Sequence, residues 1–216
     1  MTFTRKYERI LRKTRGILYK NPLLSLGLAM PLAIIPSYNL TITAAVCLSM
    51  LICFVPTVFI AGIIGKRIAS PWQVVVYPLI ACVLMIPTRM LLQMLFPMIQ
   101  DTLGIYFSLI CVNTLLFYAT DHAAQKRPLQ ALGLGLRLWF GAALVALICG
   151  AIREIAATGA ILGVVLFPNG LHIPIAQMAM GGFILLAFFA ALCRLIHRSI
   201  LWLTNRADAS KGGEQR

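Results

Sequence analysis

The stretch Thr41-Ile42-Thr43-Ala44-Ala45-Val46-Cys47-Leu48-Ser49-Met50-Leu51-Ile52-Cys53-Phe54-Val55-Pro56-Thr57-Val58-Phe59-Ile60-Ala61-Gly62-Ile63-Ile64 carries no charged side chain and stops on Gly65-Lys66-Arg67. As an α-helix it is about 36 Å long, enough to cross a hydrocarbon core of about 30 Å. A basic pair directly after an apolar run suits a membrane–water boundary. The neighbouring sequence repeats the pattern: apolar segments extend over about 72–96, 103–119, 131–151 and 173–196, with Trp202 just beyond as an interfacial anchor. Pro87 predicts a bend in the first of these. Upstream, a shorter apolar segment from Pro22 to Pro36 is interrupted by Pro31, which predicts a broken or half helix. The expectation is an all-α integral membrane protein with six transmembrane helices.

Composition points the same way. The chain of 216 residues is 60% hydrophobic and 12% charged, with a mean hydropathy of +0.89. That leaves too little polar surface to cover a water-soluble domain. Lys and Arg number 19 against 6 Asp and Glu, a formal charge of +13. The basic residues crowd the first twenty positions and the tail after Arg194 and flank the apolar runs. They form no stripe interleaved with aromatics, so nucleic acid is not an expected partner. Lys66-Arg67, Lys126-Arg127 and both termini fall on one side of the expected spans. The opposite connections, near 37–40, 100–102 and 158–172, hold no Lys or Arg. The positive-inside rule then puts both termini in the cytoplasm and the protein in the cell inner membrane. The long basic start, followed by no small-residue cleavage site, does not fit a signal peptide.

Residues 1–20 combine seven basic residues with Phe3, Tyr7, Ile10, Leu11 and Leu18 at near-helical spacing, as in a surface-lying amphipathic segment. Residues 21–100 then hold three spans, 101–200 hold three more, and 201–216 form a polar cytoplasmic tail whose end, from Ala207, reads as disordered. An odd number of spans per half puts the halves in opposite orientations, an inverted-topology repeat. The two opening spans, Ser25-Leu26-Gly27-Leu28-Ala29-Met30-Pro31-Leu32 and Ser108-Leu109-Ile110-Cys111-Val112-Asn113-Thr114-Leu115, align loosely. Each has a helix-weakening or polar element near its centre, so the first and fourth helices are expected to be interrupted.

Three motifs carry a resemblance. They are Asn21-Pro22-Leu23-Leu24 leading into Leu26-Gly27-Leu28-Ala29-Met30-Pro31-Leu32, then Val112-Asn113-Thr114, then Gly150-Ala151-Ile152-Arg153-Glu154-Ile155 followed by Gly159. The last is the most specific, because lipid does not force a charged Arg-Glu pair after an apolar span. Along most of its length the chain resembles the six-span membrane subunits of the Rnf and Nqr complexes, the E-type subunit of Rnf and its D-type Nqr counterpart. The resemblance implies a subunit of an ion-translocating electron-transfer complex. Its implied partners are a sister six-helix subunit of inverted topology, flavoprotein and iron–sulfur subunits, and lipid. It also implies a [2Fe-2S] cluster shared with the sister, each subunit giving one cysteine from a Cys-Pro in the first span and one from an Asn-Cys in the fourth, with flavins held by the partner subunits.

The sequence departs from that pattern where it matters. Met30 stands before Pro31, and Thr114 follows Asn113. A thioether is a weak neutral ligand and a hydroxyl is not a thiolate, so neither replaces a cluster ligand. No cofactor is therefore expected in this chain. Cys111 lies three residues before Thr114 and on a helix would share its face, but a lone thiolate needs three partners. The cysteines, Cys47, Cys53, Cys82, Cys111, Cys149 and Cys193, all lie in apolar segments without metal-ligand spacing and read as small core residues.

Asn113 is expected to need hydrogen-bond partners and to orient a partner helix. Arg153 and Glu154 are candidates either for an interfacial ion pair or for a contact with a partner subunit. Arg89, within the third span, is expected to snorkel outward or pair with Asp101. Asp121 and His122 beside Lys126 and Arg127 read as a solvated cluster. Ala157-Thr158-Gly159-Ala160-Ile161 brushes against a covalent flavin signal but lacks its acceptor threonine. No catalytic residue, metal site or nucleotide loop is visible. The rival readings are a substrate-binding membrane component of a vitamin transporter, with a pocket at Pro31 and Asn113, and a non-redox scaffold subunit.

Overall fold

The computed structural model describes residues 24, 27–34, 36–97, 102–162, 164–165 and 173–212; the amphipathic segment expected over 1–20, and Asp101, lie outside them. The chain is built from helices. They are α1 (Met30–Ile34), α2 (Leu40–Ile64), α3 (Ser70–Leu95), α4 (Ile105–Ser108), α5 (Thr114–Ala124), α6 (Pro128–Thr158) and α7 (Ala179–Gly212). A two-residue hairpin, β1 (Ala160–Ile161) antiparallel to β2 (Val164–Val165), lies between α6 and α7. Among the described residues, three stretches are long and apolar enough to cross a membrane, Leu40–Arg67, Pro71–Leu95 and Pro128–Thr158; Ala179–Leu195 is a shorter apolar helix.

Local chemistry sets the boundaries. Asn39 is extended and its side chain accepts from the Thr41 amide at 2.9 Å, capping α2. Pro71 and Pro128 stand in the first turns of α3 and α6, where a missing amide costs nothing. Gly159, at φ 68, ends α6 with its amide bonded to the Ile155 carbonyl. Prolines inside helices are accommodated. Pro56 sits in α2, where the Thr57 hydroxyl donates to the Cys53 carbonyl at 2.7 Å. Pro87 sits in α3, where Thr88 donates to the Leu84 carbonyl at 2.7 Å. The carbonyls that lose an amide donor to these prolines are those of Ile52 and Val83, one residue before the hydroxyls' acceptors; bonding back along the helix satisfies the hydroxyls themselves in an apolar bundle.

Helices α2 and α6 form the central pair, with α3 and α5 against α2 and α7 against both α6 and α1. Small residues let α2 and α6 come close: a Cβ on Gly62 of α2 would meet Ala131 of α6, one on Gly135 of α6 would meet Val58 of α2, and one on Gly150 of α6 would meet Thr43 of α2. Trp139 of α6 donates its indole N–H to the Cys47 carbonyl of α2 at 2.8 Å. Close backbones joined by a few hydrogen bonds are the means by which helices associate in lipid. By contrast α3 turns Val75, Leu79, Val83, Ile86 and Met90 outward, each more than half exposed. Such a face suits lipid or another apolar helix.

Two expectations need correction. The fifth apolar segment does not stop at Ala151: α6 runs to Thr158, so Arg153 and Glu154 lie inside the helix rather than after it. The last helix begins at Ala179, after a short turn at Pro174–Ala176, and continues to Gly212. Ala207 and its neighbours to Gly212 are therefore helical rather than disordered, there being no proline or glycine between Ile196 and Lys211 to stop the helix. The segment from 103 to 119 is interrupted as expected, into α4 and α5 separated at 109–113, and its second part runs on to Ala124.

Candidate functional site at two helix breaks

The backbone leaves helical geometry near the first span's centre, where Gly27 and Ala29 both take left-handed conformations, φ 68 and φ 59. For Ala29 this costs about 1–2 kcal/mol, a strain that surrounding structure must hold in place. The second break, between α4 and α5, is set by Asn113. Its backbone is extended, its side-chain oxygen accepts from the Leu116 amide at 2.7 Å, and its amide nitrogen donates to the Ile110 carbonyl at 3.0 Å. Asn113 thus caps its own half helix, and these two bonds stay within its own span. The reason is physical: its oxygen lies nearest the unpaired amides of the α5 N-terminus.

The two breaks meet. The Ala29 amide donates to the Thr114 hydroxyl oxygen at 2.9 Å, across 85 positions of sequence. Met30 and Thr114, the two positions singled out in the sequence, therefore begin α1 and α5 at one point. Met30 itself folds back over Gly27, whose Cβ, if it had one, would lie 2.9 Å from Met30 Cε. Cys111 does not share a helix face with Thr114, because the break lies between them; its thiol is turned to the Ala81 carbonyl of α3 at 3.5 Å. The cavity beside the junction, lined by Ala29, Leu32, Thr43, Cys47 and Ala143 among others, holds about 10 Å³. That is room for about one water and not for a vitamin.

Arg153 and Glu154 act as a staple on the first span. Arg153 is 1% exposed. Its guanidinium donates to the Ile34 carbonyl and the Ser37 hydroxyl through Nη1, to the Ala176 carbonyl through Nε at 2.8 Å, and to the Gln177 and Met178 carbonyls through Nη2. Glu154, 7% exposed, accepts from the Leu40 amide at 2.7 Å and the Leu162 amide at 2.8 Å. Among the described residues the two make no ion pair with each other. The cation takes carbonyls at the C-terminal end of α1, and the carboxylate takes an amide at the N-terminal end of α2, each the favourable end of a helix dipole. Together they clamp the turn between α1 and α2 and tie it to the hairpin and to the segment before α7. Sequence reasoning singled out the pair but missed this use, since its partners are backbone groups that no motif reveals.

Arg89 lies in α3 and is exposed, while the Asp101 expected to pair with it is outside the described residues. Asp121 and His122 are exposed at the end of α5, 4.0 Å apart, with the His122 ring bonded to the Tyr118 carbonyl.

Long apolar helices, with two shorter helices, α1 and α5, whose starts are joined by a hydrogen bond, define a multi-pass helical membrane protein. Compared with known families, residues 10–190 match the Rnf-Nqr subunit, membrane protein, and the chain belongs to that family. It is 30% identical over 212 residues to the E-type subunit of the proton-translocating ferredoxin:NAD(+) oxidoreductase complex of Clostridium ljungdahlii, covering 93% of this chain and 95% of that protein.

Proposed function

We propose that this chain is an E-type subunit of a complex that carries electrons within the cytoplasmic membrane, coupled to ion translocation, and that it supplies no thiolate to a shared [2Fe-2S] cluster. The observation that carries this is the Ala29–Thr114 hydrogen bond, which puts the starts of two half helices at one point. In this family that geometry suits a cofactor shared with a sister subunit of inverted topology. At that point the donors present are a thioether and a hydroxyl already accepting an amide proton, and these do not fit a four-thiolate site. The chain accordingly contributes position and not ligands.

The same reading gives six spans in two inverted halves: the first span with its break, α2 and α3, then α4–α5, α6 and α7. The Lys66-Arg67 turn lies against the end of α5, next to Lys126-Arg127. One end of the bundle is therefore basic and faces the cytoplasm under the positive-inside rule. The clamp made by Arg153 and Glu154 fixes the opposite, outer turns on which a partner subunit docks. Flavoprotein and iron–sulfur subunits complete the assembly.

The test is to purify the tagged chain from its own membranes in mild detergent, identify what remains bound, and measure iron and EPR signal per chain. Bound flavoprotein subunits, with a cluster signal that survives removal of this chain, are expected. A bound vitamin and no flavoprotein would overturn the assembly. A [2Fe-2S] signal lost with Met30→Ala or Thr114→Val would overturn the absence of ligands.

A further inference from the structure

Cys53 sits at the middle of α2 and Cys111 in the break between α4 and α5, and both are buried, at 0% and 3% exposure. Their thiols converge on one acceptor, the Ala81 carbonyl of α3, at 3.2 and 3.5 Å. Two thiols from separate elements aimed at one carbonyl differ from single cysteines filling a core, and Cys47, Cys149 and Cys193 have no such arrangement among the described contacts. We propose that Cys53 and Cys111 form a redox-active dithiol at mid-depth of the bundle that closes reversibly to a disulfide.

The backbone allows the closure. A disulfide sets its sulfurs about 2.05 Å apart, so two thiols that share one carbonyl acceptor must leave it and close to that distance. Cys53 is held by a continuous helix. Cys111 is not: its amide bonds only to the Ser108 carbonyl at 3.1 Å, and Val112 and Asn113 after it are outside any helix. The movement can come from that segment without breaking an α-helical ladder. In the step the Cys53–Cys111 S–S bond forms, both S–H bonds break, and two electrons and two protons leave. An azo oxidant such as diamide takes both and becomes the hydrazo compound; a dithiol reductant returns them. The inference does not depend on the assembly proposed above.

The experiment uses the full chain in detergent micelles. It is treated with diamide, unfolded in sodium dodecyl sulfate with N-ethylmaleimide present so that every free thiol is blocked, freed of the reagent, reduced with dithiothreitol and labelled with polyethylene-glycol maleimide. Two tags out of the six cysteines are expected after oxidation, with none in unoxidised protein or after reduction before blocking. Cys53→Ser and Cys111→Ser should each gain none, and Cys82→Ser should still gain two. Peptide mapping of oxidised wild type, which needs no variant to fold, should show Cys53 linked to Cys111. No tags in wild type, tags that persist in Cys53→Ser, or a linkage through Cys82 would each overturn the proposal.

Discussion

The Ala29 amide, left-handed at φ 59, is held by the Thr114 hydroxyl 2.9 Å away. One hydroxyl thereby joins the starts of α1 and α5 and compensates a strained residue. Thr114 occupies a position where the resemblance implies a cysteine ligand, and here it serves the backbone instead. Replacing the thiol by an oxygen exchanges a soft metal ligand for a good hydrogen-bond acceptor.

Thr114→Val removes that acceptor while keeping shape, and leaves the amide of a residue 2% exposed without this partner. The expected cost is about 1–3 kcal/mol, read as a lower unfolding temperature in detergent. Thr114→Ser should stay close to wild type. Equal losses for both variants would show that the methyl contact, and not the hydrogen bond, matters.

Arg153 should resist conservative replacement. A lysine has three donors on one nitrogen and cannot span five acceptors on two segments. Its neighbour is unforgiving as well: a Cβ at Gly182 would lie 2.9 Å from Arg153 Nη1, so the guanidinium is packed on all sides. Arg153→Lys is expected to destabilise by about 2 kcal/mol and Arg153→Met by about 3–5 kcal/mol. Hydrogen exchange should rise in both bound segments, at 34–40 and at 173–178. Faster exchange at only one of them would mean that the clamp is not shared.

Glu154→Gln leaves one carbonyl oxygen for two amides, those of Leu40 and Leu162, and turns an NH₂ group toward one of them. One bond is lost and the other loses its charge assistance, which is expected to cost about 1–3 kcal/mol. The fastest-exchanging amides should become those of Leu40 and Leu162. Unchanged protection at both would refute the capping role.

How much of this was legible in the sequence depends on whether the signal is local. The run from Thr41 to Ile64 announces α2 by length alone, and Pro31 and Asn113 mark the breaks because a missing amide and a side-chain cap act on their own neighbours. The extent of α6 was not legible. Arg153 and Glu154 look like the end of an apolar span until their partners, Ile34, Ser37, Leu40 and the residues after Pro174, are known. The meeting of Ala29 with Thr114, and of Cys53 with Cys111, joins residues far apart in the chain, and no spacing encodes it. Corrections fell where a helix end or a polar side chain is decided by tertiary contacts rather than by hydropathy.

Packing at the basic end gives a further test. A Cβ on Gly62 of α2 would lie 2.5 Å from Ala131 Cβ and 3.3 Å from the Pro128 Cα. The first cannot be tolerated in place, whereas the second needs only a shift of a few tenths of an ångström. Gly62→Ala should therefore cost about 1–3 kcal/mol by overpacking, despite the better helix propensity of alanine. Ala131→Gly alone should cost about 1 kcal/mol for a glycine inside α6. In the double variant the colliding methyl is gone, so its destabilisation should fall short of the sum by about 1 kcal/mol or more. Unfolding curves for the four proteins in one detergent measure that coupling. An additive result would mean that α2 and α6 separate freely at this end, contrary to the close approach described above.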